Sequence, residues 1–324
     1  MPTSLQQATA ADDLLHHGDR DDYTLVETSY YGFNIPSAAI NVEVFHWFHP
    51  VLSTSSGGVL IWSGDKADPL HAEYVDFRAH MPYPVDENAT TFTFPTGVTI
   101  TIIDPLRAIH LAFAAPDGEV SFDVNLQAVM PAVGPGPGHL CQAVSTKGHL
   151  ELYGQRYAVD GWFTRDRSWS HPRSEQPHPI PPTTWAAAVF DDHLAMHFVG
   201  FESDKLSDQS LQWGYLWKDG ELRSLTKLQK HTERAQDGMS PYAVDVVIED
   251  SAGELHTLRG ERQARLPFSI WPNMVTEFTQ MRWRYGGRTG YGDLQDIQFP
   301  KFRREVAAAR ADAGVRRATP SSKE

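Results

Sequence analysis

The chain has 324 residues, 41% of them hydrophobic, 11% aromatic and 21% charged, a balance that supplies two buried cores and excludes a disordered chain. Its formal net charge of −13 excludes nucleic acid as the main partner, because polyanion binders present a basic face. The single cysteine, Cys141, excludes an internal disulfide and argues against a cysteine-based zinc site.

Residues 1–22 read as a flexible acidic segment, with Asp12, Asp13, Asp19, Asp21 and Asp22 on a solvated tail. They lack the basic and apolar regions of a signal peptide, and no apolar run approaches the ~18 residues of a membrane span. The expectation is a cytoplasmic protein with no membrane span, in which the Asn88-Ala89-Thr90 sequon carries no meaning.

A first β domain is placed at 23–130. Tyr30 and Tyr31 sit near its first strand, and His46 shares a face with Val42, Val44 and Phe48. Val98, Ile100 and Ile102 alternate with polar residues, as do Val120, Phe122, Val124, Leu126 and Ala128, the pattern of a half-buried strand. The stretch 131–138 holds prolines without donors and glycines that cost entropy. It therefore reads as an interdomain linker that cannot sit inside a sheet.

A second β domain follows at 139–300. Its features are the Trp185-led apolar strand, the alternating run through His193 and His197, the aromatic face Leu211, Trp213, Tyr215 and Trp217, and the face Tyr242, Val244, Val246 and Ile248. Asp117-Gly118, Asp219-Gly220 and residues 250–253 read as hairpin turns. His193 and His197 have the spacing of a zinc helix but lie in a strand pattern without the intervening glutamate, so no metal is expected. Gly134–Gly138 and Gly286–Gly292 are not phosphate loops, for want of free amides in the first and of the Walker lysine in the second. Residues 301–324 form a basic end, with a helix from Phe302 to Ala313 stopping near Gly314. The whole reads as all-β, a pair of antiparallel barrels or sandwiches with one short C-terminal helix.

The densest chemistry lies in Gly161–Arg173, where Asp166-Arg167-Ser168-Trp169-Ser170 precedes a proline-rich stretch and Trp185. This element resembles the Asp-x-x-Trp-Gly signature of the AttH-like, carotenoid-hydratase-like superfamily. Cys141–Gly148 is similar to that family's lead-in strand, and Gly290-Tyr291-Gly292-Asp293 to its closing strand; the likeness spans about 140–295, with a looser echo at Glu27–His49. Ser170 stands where the family has glycine, and Asp293 where glutamate is common. The resemblance implies two consecutive lipocalin-like (calycin-like) barrels and a terpenoid- or steroid-like lipophilic ligand. It also implies cofactor-independent hydratase, dehydratase, isomerase or cyclase chemistry.

Such chemistry needs a proton donor beside a developing cation. A carboxyl in a dry pocket stays protonated, and indole and phenol faces stabilise positive charge. The candidate catalytic residues are Asp166, Trp169, Asp293 and Tyr291; the candidate substrate-binding residues are Trp185, His197, Trp162, His46, Tyr31 and Arg173. The residues leave open whether Asp166 is functional or is an ionised partner of Arg165, Arg167 or Arg173. They also leave open an enzyme against a non-catalytic carrier of the same ligand, and the oligomeric state, a dimer included.

Overall fold

The computed structural model describes residues 4–16, 22–83, 90–169, 182–271 and 273–318. Twelve strands form a first sheet: β1 (Gln6–Gln7), β2 (Glu27–Ile35), β3 (Ile40–His49), β4 (Thr54–Ser63), β5 (Tyr74–Pro82), β6 (Thr91–Thr93), β7 (Val98–Asp104), β8 (Ala108–Ala114), β9 (Val120–Ala128), β10 (Val133–Gly134), β11 (His139–Leu152) and β12 (Gln155–Ser168). The sheet is open and curled, in the order β5-β4-β3-β2-β12-β11-β9-β8-β7-β6, and β1 joins β11 through β10. Nine strands form a second sheet: β13 (Thr183–Asp191), β14 (Leu194–Phe201), β15 (Ser203–Ser207), β16 (Leu211–Lys218), β17 (Glu221–Arg234), β18 (Pro241–Asp250), β19 (Leu255–Phe268), β20 (Val275–Tyr285) and β21 (Arg288–Gln298). Their order is β15-β17-β16-β14-β13-β21-β20-β19-β18, and β17 also pairs with β18. That last pairing closes eight strands into a barrel and leaves β15 attached outside it. The all-β expectation with a single C-terminal helix therefore holds.

Period-2 alternation decides what each face buries. Ala186, Ala188, Met196, Phe198, Leu216, Trp283 and Leu294 fill the barrel interior. Their strand neighbours Trp185, Ala187, Trp213, Tyr215 and Phe278 point outward and pack with Tyr30, Val42, Phe45 and Cys141 of the first sheet. The barrel is thus a filled core, and its outer wall is a second buried surface. Helix α1 (Pro300–Ala318) packs at the barrel rim, where Arg303 reaches Glu277 Oε1 at 3.2 Å and Gln298 Oε1 at 2.8 Å. It runs past the expected stop at Gly314, a residue a helix tolerates at about 1 kcal/mol. Among the described residues no helix is long and apolar enough to cross a membrane.

Two sequence expectations require correction. Segment 131–138 does not divide the sheets: Val133 and Gly134, which lie between prolines, form the two-residue β10 and pair with β11 and β1. The first sheet continues to Ser168 and the second begins at Thr183. Asp13, expected on a solvated tail, is fully buried in a 3-10 turn. The reason lies across the core, where Arg165 Nη1 donates to Asp13 Oδ1 at 2.6 Å and Arg167 donates to Glu27 and to the Asp13 carbonyl. A buried guanidinium needs such a counter-charge. The two sheets are also linked by backbone at one strip, where Lys66 N–H donates to Arg265 O at 2.8 Å and Arg265 N–H to Gly64 O at 2.9 Å.

Candidate active site

A row of directly opposed residues on four strands forms one wall of the site. Phe45 pairs with Tyr30, Tyr30 with Asp166, and Asp166 with Cys141; such partners keep their Cβ atoms about 4.5–5.5 Å apart on one face. The barrel exterior supplies the facing row, in which Gln295 pairs with Trp185, Trp185 with Val199, and Val199 with Trp213. Between the two walls lies a cavity of about 360 Å³, flanked also by His139, Trp271 and Met274. Its lining mixes aromatic and aliphatic side chains with the polar groups of Thr28, His139, Asp166, Gln212, Thr276 and Gln295, a combination found in small-molecule pockets.

Behind Tyr30 the polar groups become denser. Its hydroxyl lies 3.0 Å from Glu43 Oε1 and 2.9 Å from Asp293 Oδ2, and Asn41 Nδ2 approaches both carboxyls at 3.4 Å. Glu43 is fully buried and Asp293 nearly so. Among the described residues neither has a cationic partner, and Glu43 Oε2 has no hydrogen-bond partner at all. Burial, then the charge of Asp293, pushes the Glu43 carboxyl well above the usual range. Burial pushes Asp293 up to about 7. A tyrosine hydroxyl carries one hydrogen, so it satisfies one carboxyl, and the other brings a proton of its own. Burial and the neighbouring charge therefore favour a protonated carboxyl in this pair near neutrality.

At the opposite end of the row, Trp185 Nε1–H donates to Asp166 Oδ2 at 3.2 Å. The same oxygen lies 3.9 Å from Cys141 Sγ and 3.9 Å from His139 Nε2; that sulfur is 3.7 Å from His139 Nε2 and 3.8 Å from His197 Nε2. His139, Cys141 and Asp166 thus present three metal-ligand atoms in one small group. Asp250, Glu254 and His256 form another, but Arg223 sits on Asp250 at 2.9 Å and on Glu254 at 3.0 Å and already balances the charge there.

The structure brings several of the sequence-derived candidates together and separates others. Asp166 and Trp185 line the cavity, and His197 lies under Trp185 with ring centroids 4.8 Å apart. Burial, then the charge of His139, holds His197 well below its usual pKa, as a neutral ring. Asp293 sits one layer deeper, behind Tyr30. Tyr291 is half-buried and outside the lining. Trp162 ties the sheets together at the far side, with Nε1–H donating to Asp192 Oδ1 at 2.7 Å. Trp169 lies beyond the end of β12 and stacks on His16 at 4.3 Å, beside a smaller crevice of about 80 Å³. His46 and Tyr31 face away from the cavity, His46 stacking on Phe94 at 3.7 Å. Arg173 lies outside the described residues. Arg165 and Arg167 point to the face opposite Asp166, so neither pairs with it. The sequence reading missed Glu43, Asn41 and His139, and took Tyr31 rather than its neighbour Tyr30 into the binding set. The available signal was Glu43, a lone acid in the apolar run Val42–Phe45.

The closing-strand element acts through packing. A Cβ at Gly292 would lie 2.3 Å from Ala187 O, so glycine lets β21 approach β13 and seats Asp293 at the interface.

Two solved structures share this architecture at low identity, and a third aligns less well. CghA with Sch210972 aligns with a TM-score of 0.53 and 11% identity, over 91% of this chain and 98% of that one. An AttH candidate from Nitrosomonas europaea gives 0.51 and 15%, over 87% and 94%. Kievitone hydratase from Nectria haematococca gives 0.49 and 15%, over 92% and 97%. No curated protein matches the sequence. A family model described as "Domain of unknown function (DUF7064)" matches residues 9–300; the chain belongs to the DUF7064 family.

Proposed function

We propose that the chain is an acid–base enzyme of the hydro-lyase, isomerase or cyclase kind, acting on a lipophilic, terpenoid- or steroid-like molecule held between the two sheets. The observation that carries this reading is the carboxyl pair Glu43 and Asp293, which stands behind Tyr30 without a cation. A carrier needs only the apolar walls; two buried acids without a cation are costly for a binding site and useful for a proton donor.

In this mechanism the pair gives its proton through the Tyr30 hydroxyl to an alkene carbon or a leaving hydroxyl. The faces of Tyr30, Trp185 and Trp213 stabilise the resulting cation, at ~0.5–2 kcal/mol each. Asp166 then takes a proton from an attacking water or from the adjacent carbon, and exchange with solvent restores both groups. The relatives support the reading only through their shared architecture.

The test is to incubate the protein with the apolar extract of its own host and follow masses for gain or loss of one water, or for isomerisation. The wild type is expected to convert a component, and Tyr30→Phe to do so about 10²–10⁴-fold more slowly while still retaining the compound in native mass spectra. Equal turnover by Tyr30→Phe overturns the proton route. A retained but unchanged compound in the wild type favours the carrier.

A further inference from the structure

We propose that His139, Cys141 and Asp166 form a binding site for a divalent transition metal of the zinc class, at the edge of the cavity and independent of the acid pair behind Tyr30. The ligands come from one face of a single antiparallel strand pair. His139 and Cys141 are two residues apart on β11 and so project to the same side, and Asp166 on β12 is the direct cross-strand partner of Cys141.

The spacing suits the metal. Bond lengths of about 2.0–2.3 Å to nitrogen, oxygen and sulfur at a tetrahedral centre put the donor atoms about 3.3–3.7 Å apart. Here Cys141 Sγ to His139 Nε2 is 3.7 Å, Cys141 Sγ to Asp166 Oδ2 is 3.9 Å, and His139 Nε2 to Asp166 Oδ2 is 3.9 Å. A contraction of a few tenths of an ångström brings all three to bonding geometry.

The surroundings are those of a metal site's outer shell. Trp185 Nε1–H donates to Asp166 Oδ2 at 3.2 Å and holds the carboxylate in place. On the other side of the sulfur, His197 is fully buried and has Nε2 3.8 Å from Sγ, while its Nδ1 has no hydrogen-bond partner. Nε2–H is positioned to donate to a metal-bound thiolate, which makes His197 a positioning residue. Three protein ligands of mixed sulfur, nitrogen and oxygen character leave a fourth position. His139 and Asp166 both line the cavity, so that position faces it and takes a water or an oxygen of the bound molecule.

This inference does not rest on the proposed reaction. The full chain, freed of metal with a chelator, is titrated with Co(II), and the tetrahedral ligand-field bands and the thiolate-to-cobalt charge-transfer band are recorded. One equivalent is expected to bind, with displacement by Zn(II). Cys141→Ser is expected to abolish the charge-transfer band, His139→Gln to weaken binding at least tenfold, and His197→Gln to weaken it about 10–100-fold. Trp169→Phe, outside the group, serves as the unchanged control, and circular dichroism checks that each variant is folded. Absence of the bands in the wild type overturns the assignment, as does their persistence in folded Cys141→Ser. Because Asp166 is also the base of the proposed reaction, turnover is read on the metal-free protein: metal binding with no metal-free turnover leaves this site standing and removes the reaction, and metal-free turnover without metal binding does the reverse.

Discussion

Two buried polar clusters lie against opposite faces of the first sheet, and they are built on opposite principles. On one face Asp13 and Glu27 meet Arg165 and Arg167, two acids against two bases. On the other, Glu43 and Asp293 share Tyr30 and Asn41, two acids with no base. Burial works against the Asp13 carboxylate, but Arg165 and Arg167 outweigh it and hold its pKa below the usual value. Asp293 is pushed the other way, to about 7. Charge balance marks a cluster that holds the fold; imbalance marks one whose protons are available for chemistry.

The largest expected effect comes from breaking the balanced cluster. Asp13→Ala leaves guanidinium charge buried without its partner and should destabilise by about 3–5 kcal/mol, read as a shift in the urea midpoint. The unbalanced cluster should respond in the opposite sense. Because the folded pKa of Asp293 lies above its ordinary value of 3.8, its contribution is full below about pH 4 and is lost as pH rises to about 7. Asp293→Asn should abolish that loss, so variant and wild type diverge by on the order of 2–4 kcal/mol across the window. Parallel stability–pH curves would show that the carboxyl is already ionised.

His46 is the mirror case, a buried base with no acid. Burial lowers its pKa from 6.5 to about 3, so stability present above pH 6.5 is lost as pH falls towards 3. His46→Leu should remove up to about 1.4 kcal/mol per pH unit of that acid sensitivity, measured as the difference between the two denaturation profiles. The smallest effect is expected at Trp169. Trp169→Ala removes an outlying stack worth about 1 kcal/mol and should leave turnover unchanged; a large loss of turnover would return Trp169 to the site.

The architecture was legible because β periodicity writes itself into sequence: Val120–Ala128 and the turn at Asp219-Gly220 stand where alternation and turn chemistry put them. Asp166 and Trp185 were legible through their motif. The rest was hidden by phase and by distance. Of the adjacent Tyr30 and Tyr31, the binding set took Tyr31 while Tyr30 lines the cavity, and on a period of two a one-residue error exchanges faces. Trp169 shares the short motif of Asp166, but it lies past the end of β12, escapes the strand's alternation and stacks on His16. Glu43 and Asp293 are 250 residues apart, and their meeting is fixed by the packing of one sheet on the other, which no local pattern encodes. The division of the chain was misplaced because a Pro- and Gly-rich stretch marks the margin of a sheet as readily as the space between two.

The strip joining Gly64 and Lys66 to Arg265 has a thermodynamic consequence. Among the described residues it is where the two sheets share main-chain hydrogen bonds, while the cavity walls meet through side chains alone. A molecule seated there touches both folding units at once and acts as a clasp facing that spine. Loading should therefore raise the melting temperature with ligand concentration by mass action, and should most strongly protect the amides of β2, β12 and β13 from exchange.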